Sequence, residues 1–232
     1  SAISSWQGLH DMKDDNILEV NSLAKNVSLH QFMASAFIFF IIWINVDMLY
    51  ALIPNGNVYV DAKFVVFILA LVKIVNTSFN VGATVLSYSK YYYYSLVFTV
   101  ILTATAIFMN IKFIPIWGME GAAMASLLSY IVYYMFLLTF VRLRIKVTPF
   151  SLNELYTLVI IVSLFVIDWL LRKYISDYVV SLFDINLLGQ LLDSVIRTLI
   201  LSFLGIVTIY KFRISKQVND IIDKILSFLK LI

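Results

Sequence analysis

The chain has 232 residues, of which 62% are apolar and 13% charged, against roughly 45–50% and about 25% in an average soluble domain. A soluble protein of this length lacks the interior to hide so much apolar side chain, so the excess faces lipid and the sequence is that of an integral membrane protein. Zero cysteines exclude disulfides, thiolate metal sites and cysteine nucleophiles; two histidines, His10 and His30, leave little for a metal centre; and a net charge of +3, spread between apolar runs, does not make the basic surface nucleic acid requires.

A hydrocarbon core of about 30 Å takes about 20 apolar residues per helix. The stretches 31–53, 64–87, 93–111, 117–141, 155–171 and 191–210 meet that length. Between them lie turn and charge signals: Pro54-Asn55-Gly56-Asn57, Ser89-Lys90, Ile114-Pro115, Arg142 to Pro149 and Arg172-Lys173. The runs are too long and too continuously apolar for outer-membrane strands, and open strand edges cannot face lipid, so the expected fold is an all-α multi-pass bundle of about six spans. The expected organisation is a four-helix part over 31–141, a loop over 142–154 and two further helices over 155–210.

Eleven Lys and Arg fall in the segments 1–30, 88–92, 142–154 and 211–232, whereas the opposite loops and their flanks hold Lys63, Lys112, Arg172 and Lys173, with Arg197 just inside the last span. The positive-inside rule then puts both chain ends in the cytoplasm. Residues 1–30 read as a cytoplasmic amphipathic segment, with Ile17, Val20, Leu23, Ala24 and Val27 at helical spacing and Asn16 with Glu19 as a capping pair. It lacks the pattern of a signal peptide, and Ser1 in place of an initiator Met suggests a fragment or a processed piece. Two further amphipathic segments are expected at the membrane surface or against the bundle itself: 172–190 on the outside and the tail 211–232 on the inside.

The motifs exclude several chemistries. There is no phosphate-binding loop, no H-E-x-x-H and no G-x-S-x-G, so nucleotide hydrolysis and common hydrolase constellations are missing. No catalytic residue, metal site or cofactor is expected. The acidic cluster Asp11, Asp14 and Asp15 reads as solvated helix-start charge.

Polar residues inside spans are costly unless they face a cavity or a partner. Lys73 stands ten residues into the second span, near the midplane, with Asn76 and Asn80 at i+3 and i+7 and Thr77 and Thr84 close by. This stripe reads either as the wall of a water-filled path for an anionic or sugar-bearing substrate, or as a lysine paired with a carboxylate such as Asp47 or Asp168. Secondary polar candidates are Asn45 and Asp47 at the outer end of the first span, Asn110 as a cap of the third and Arg197 reaching for outer headgroups; Asp168 is expected to be interfacial. Tyr91 to Tyr94 suit an aromatic belt. Gly121, Ala125 and Ser129, with the adjacent row Gly118, Ala122 and Ser126, form small-residue faces that let helices approach closely.

Taken in order, several passages resemble the polysaccharide and oligosaccharide flippases of the multidrug, oligosaccharidyl-lipid and polysaccharide exporter superfamily. They are Leu52-Ile53-Pro54-Asn55-Gly56 with Tyr59, then Leu86-Ser87-Tyr88-Ser89-Lys90-Tyr91-Tyr92, Asn110 with Ile114-Pro115, Gly118-Met119-Glu120-Gly121-Ala122-Ala123-Met124-Ala125, and Pro149-Phe150. The resemblance covers roughly residues 8–160; the last two spans fit by hydropathy only. It implies the C-terminal lobe of a multidrug-exporter-like fold plus two further helices, with the N-terminal lobe absent. It also implies a bacterial inner-membrane transporter, not an enzyme, that moves an undecaprenyl-diphosphate-linked oligosaccharide outward for O-antigen, lipopolysaccharide or other polysaccharide assembly by alternating access. Implied partners are the lipid-linked substrate, membrane lipid, the missing lobe and polysaccharide polymerase machinery. A cation or drug exporter of the same superfamily, a membrane enzyme of glycan assembly and the permease of a nucleotide-driven exporter are the competing readings. The first would want an acidic residue deep in the bundle, the second a long loop bearing reactive groups, the third a cytoplasmic coupling helix.

Overall fold

The computed structural model describes residues 14–54, 62–176 and 186–229. Its described residues form an all-α membrane protein with no strands. The helices are α1 (Asp14–Ile44), α2 (Val46–Leu52), α3 (Lys63–Ser87), α4 (Tyr93–Phe140), α5 (Leu152–Leu171), α6 (Asn186–Lys211) and α7 (Lys216–Leu229), with π-helical turns at Val141–Ile145 and Arg172–Ser176. Among the described residues, five stretches are long and apolar enough to cross a membrane: Ile17–Ile44, Lys63–Ser87, Tyr93–Ile145, Leu152–Tyr174 and Gly189–Lys211.

The third of these stretches is two crossings, as the sequence leads one to expect. A straight helix would hold Phe98 and Phe140 roughly 63 Å apart. Their rings lie 5.5 Å apart, and Phe140 also meets Tyr91 and Tyr94 at 5.8 and 4.8 Å. The helix therefore folds back on itself. The reversal is at Gly118, whose φ of 55° and ψ of −127° suit glycine alone, three residues after Pro115, which has no N–H to give. Gly121 closes the turn, since a Cβ there would lie 2.2 Å from the carbonyl oxygen of Phe113. The expected third span ends at residue 111, yet its helix runs on to the Gly118 break. Asn110 consequently lies inside the arm and donates Nδ2 to the carbonyl of Ala106 at 2.8 Å, rather than capping a helix end. Of the two small-residue rows, Gly121, Ala125 and Ser129 are buried, Ala122 is half-buried and Gly118 exposed.

The chain divides into two compact units, and it passes between them inside α1, between Ser35 and Ala36, again between Asp61 and Ala62, and within the 142–154 loop, between Ser151 and Leu152. Unit one comprises the start of α1, α3, α4 and the following turn, through Ser151. Its core gathers Val20 and Ala24 of α1, Val81, Val85 and Leu86 of α3, and Phe98, Tyr133, Tyr134 and Leu137 of α4. Small residues bring α1 against α3, where Ser28 Oγ donates to the carbonyl of Ser78 at 3.0 Å. The amphipathic segment 1–30 and the first span are not separate: α1 is continuous from Asp14 to Ile44, with Val20 and Ala24 fully buried. Its apolar face serves as packing against the protein, and Asn16 of the expected capping pair falls in its first described turn.

Unit two comprises the end of α1, α2, α5, α6 and α7. Phe39 and Phe40 pack on Phe165 with ring separations of 5.8 and 5.0 Å, over a core that includes Ile44, Ile161, Leu164 and Leu201. Gly205 lets α6 approach Leu164 and Phe37. The tail is helical as expected, with Ile221 and Ile225 on an open face and Ser215 Oγ accepting from the N–H of Val218 at 3.4 Å as its cap. Residues 177–185 of the expected outer amphipathic segment, Asn55 to Tyr59 and Asp11 lie outside the described residues.

Gly121→Ala should lower folded yield and thermal stability in detergent, because backbone must move away from Phe113 and the hairpin opens. Gly82→Ala meets only the side-chain ends of Leu137 and Leu138, which can rotate, and should cost less. Equal stability of the two variants by thermal denaturation would contradict the tight reversal at Gly118.

Candidate functional site

Two polar constellations stand out, one in each unit. In unit one the polar stripe of α3 is laid out largely by helix geometry, as 73, 77, 80 and 84 return to one face. Lys73 and Asn80 are exposed, with Thr77 and Thr84 half-buried beside them. Asn76 is fixed: its Oδ1 accepts from the hydroxyl of Tyr134 at 2.6 Å, and the same hydroxyl lies 3.2 Å from the Asn76 carbonyl. Tyr134 is itself buried in the core, so α4 holds this part of α3 in place. Thr84 donates to the backbone carbonyl of Asn80 at 3.2 Å, and the Asn80 side chain is exposed. Lys73 forms no ion pair with any described residue, and the carboxylates considered for it, Asp47 and Asp168, are engaged elsewhere. The stripe is thus a cation and an amide on the open side of a membrane-length helix, backed by a tyrosine-anchored asparagine.

In unit two, Asp47, Arg172, Asp168, Arg197 and Asp193 form a chain of alternating charge. Arg172 Nη1 lies 3.1 Å from Asp47 Oδ2 and its Nε 3.0 Å from Asp168 Oδ2; Arg197 Nε lies 3.3 Å from Asp168 Oδ1 and its Nη2 3.7 Å from Asp193 Oδ2. Asp168 therefore offers one oxygen to each guanidinium. Both arginines also donate through Nη2 to the carbonyl of Ile44, the last residue of α1. The local sequence explains why that carbonyl is available. The backbone leaves the helix at Asn45, whose φ is −108° and ψ 2°, and Asn45 Nδ2 takes the carbonyl of Ile41 at 2.8 Å while pairing with Thr198 Oγ1 at 2.8 Å. A helix C-terminus carries partial negative charge, which the guanidinium groups complement. Beside the chain is a cavity of about 340 Å³ bounded by Asp47, Met48, Arg172, Gln190, Asp193 and Arg197. The three carboxylates alternate with arginines, and among the described residues no group of acidic or His side chains could hold a metal ion.

This arrangement corrects two expectations. Asp168 is buried, 6% exposed, rather than interfacial, because two arginines neutralise it inside the unit. Arg197, also 6% exposed, turns inward to Asp168 and the Ile44 carbonyl instead of reaching headgroups. Asp47 keeps the exposed side chain expected at the end of the first span and is paired with Arg172. Arg172 and Asp193 belong to the cluster although neither stands out among isolated polar residues. Their signal is the repeated Asp-x-x-x-Arg spacing, 168 to 172 and 193 to 197, the i,i+4 register at which opposite charges meet on a helix.

Comparison with family models, curated proteins and solved structures gives no match.

Removing one partner of a buried ion pair strands the other, at a cost of about 3–5 kcal/mol. Asp168→Asn should therefore destabilise the protein by that order in a denaturation series in mixed micelles. Asp47→Asn, at the exposed end of the chain, should cost under about 1 kcal/mol. An Asp168→Asn protein as stable as wild type would contradict the two-armed pairing.

Proposed function

We propose that this chain forms part of a transporter that moves a lipid-linked oligosaccharide diphosphate across a bacterial inner membrane, working as a flippase together with a further helical lobe of the same transporter. The observation that supports this reading is Lys73, an exposed ammonium about ten residues into a membrane-length helix and unpaired with any described residue. A charge at that depth is several kcal/mol too costly to leave in lipid, so the face of α3 that bears it fits a water-filled path or a partner surface. A diphosphate in a low-dielectric passage needs a cation to partner it, and amide side chains such as Asn80 suit phosphate oxygens and sugar hydroxyls. The ordered resemblance of residues 8–160 to the oligosaccharide flippases points to the same substrate class.

On this reading Lys73 meets the diphosphate, Asn80 and Thr84 meet its oxygens or the first sugars, and Tyr134 acts only through Asn76, holding the stripe in register. Alternating access needs one bundle to move against another around a midplane site, so the present bundle supplies one wall of it. The ion chain of unit two serves as a brace for the end of α1.

In cells deleted for their own flippase, the chain joined to its upstream lobe should restore export of lipid-linked oligosaccharide, and this chain alone should not. Within the longer protein, Lys73→Ala should reduce export at least tenfold at unchanged abundance and insertion, whereas Lys73→Arg retains a measurable part. Export unchanged in Lys73→Ala would remove the residue from the path, and failure of the longer protein with a matching glycan would sink the flippase reading.

A further inference from the structure

We propose that unit two carries a groove for an anionic membrane phospholipid, made by the first turns of α5 and the turn between α6 and α7. The inference rests on the chain being inserted in a membrane and is independent of what it transports. The groove has a volume of about 390 Å³; Tyr156, Val159 and Ile160 line it from α5, and Phe212, Arg213 and Ile214 from the turn.

Its depth and polarity match an amphiphile. The membrane-length stretches of α5 and α6 meet this region at Leu152 and Lys211, so the groove opens where two spans leave the hydrocarbon. Ile160 lies eight residues beyond Leu152, roughly 12 Å along the helix, so the floor descends from headgroup depth into the acyl region. That floor is apolar and closed, with Ile160 and Ile214 at 8% and 4% exposure, between the open rings of Tyr156 and Phe212 at 60% and 71%. At the shallow end stands the guanidinium-bearing Arg213, which is exposed and has a planar fork suited to a phosphodiester.

The turn that presents Arg213 is built rather than loose. Its backbone sits at a φ of 49°, with its N–H donating to the carbonyl of Tyr210 at 3.2 Å and the N–H of Ile214 to Ile209 at 3.4 Å. Asn153 Nδ2 donates to the carbonyl of Ile214 at 2.8 Å, tying the turn to the start of α5. Lys211 and Lys216 flank it with further positive charge. Among the acidic neighbours, Asp223 accepts from the Tyr210 hydroxyl at 2.5 Å, Glu154 is buried at 3% exposure and Asp220 lies on α7, while Lys211, Arg213 and Lys216 are exposed on and beside the turn itself. Basic pockets between membrane helices at headgroup depth are a recurrent mode of anionic lipid binding. The occupant fitted by these features is a phospholipid with a net negative headgroup, its phosphate on Arg213 and one acyl chain along Tyr156, Val159 and Ile160.

The test is native mass spectrometry of the purified full chain from micelles containing equal phosphatidylglycerol and phosphatidylcholine with identical acyl chains. The expected result is retention of phosphatidylglycerol over phosphatidylcholine by about fivefold, the preference one basic residue confers at a membrane surface. Arg213→Gln should bring the ratio to parity, Arg213→Lys should keep most of it, and Val159→Trp should reduce retention of both lipids. The paired change Lys211→Gln with Lys216→Gln should leave the preference largely intact. Equal retention by the wild type, a preference that survives Arg213→Gln, or one lost as fully with the two lysines would each overturn the groove. Displacement of the retained lipid by a polyprenyl diphosphate at equal concentration would reassign the site to a transported lipid and overturn the phospholipid assignment.

Discussion

Lipid offers no hydrogen bonds, so each polar side chain carried into the hydrocarbon has to find its partner within the protein or in water that the protein admits. Along the helices much of this demand is met locally. Thr84, Ser87, Thr99, Thr103, Ser126, Ser129, Thr139, Thr157 and Thr208 all return their hydroxyls to the carbonyl four residues back. Between helices it is met by a few specific pairs, Ser28 with Ser78 and Tyr134 with Asn76 in unit one, and Asn45 with Thr198 in unit two. The largest such group, three Asp and two Arg side chains, is drawn together in the alternating ion-pair chain whose arginines also reach the carbonyl of Ile44. Lys73 departs from this rule, and that departure makes its face of α3 the one to explain by function.

The two units solve close approach by the same means with different residues. Glycine is indispensable at the reversal of α4, where Gly118 takes a backbone conformation other residues avoid and Gly121 lies against the Phe113 carbonyl. At Gly82 and Gly205 the requirement is milder, since side-chain ends rather than backbone stand in the way. Aromatic rings then fill the ends of the hairpin, with Phe140 set among Tyr91, Tyr94 and Phe98. The tyrosines at residues 91 and 94, which the sequence suggests for an aromatic belt, pack here on Phe140.

Hydropathy made most of the fold legible, because twenty-residue apolar runs admit few alternatives in a membrane. Pro115 and the small residues after it announced the hairpin. What hydropathy misses is continuity and partnership. The polar start of α1 is soluble enough to look like a surface segment, yet Val20 and Ala24 are buried by contacts with residues over fifty positions away. The burial of Asp168 and Arg197 is hidden from the sequence for a similar reason: the decisive partner of each is the other, brought close only by packing of α5 on α6. The i,i+4 pairs within each helix were readable; the bridge between them was not. In the α3 stripe, spacing alone placed Lys73 and Asn80 together, while Tyr134 could be assigned to Asn76 only in three dimensions.

On the proposed flippase reading, the α3 face bearing an ammonium and amides, beside a hairpin closed at Gly118 and Gly121, serves as one wall of a moving pair. The central claim is that this wall faces water. The 232 residues hold no cysteine, which allows a direct measurement, labelling of single introduced cysteines by a membrane-impermeant thiol reagent in intact membranes. On the proposed flippase reading, cysteine at 73 or 80, in the chain joined to its proposed further lobe, should react readily and be protected by lipid-linked oligosaccharide. Cysteine at Phe108, an equally open but apolar position on the first arm of α4, should stay unlabelled. Labelling at 73 no faster than at 108 would contradict a water-filled path along α3 and with it the transport reading.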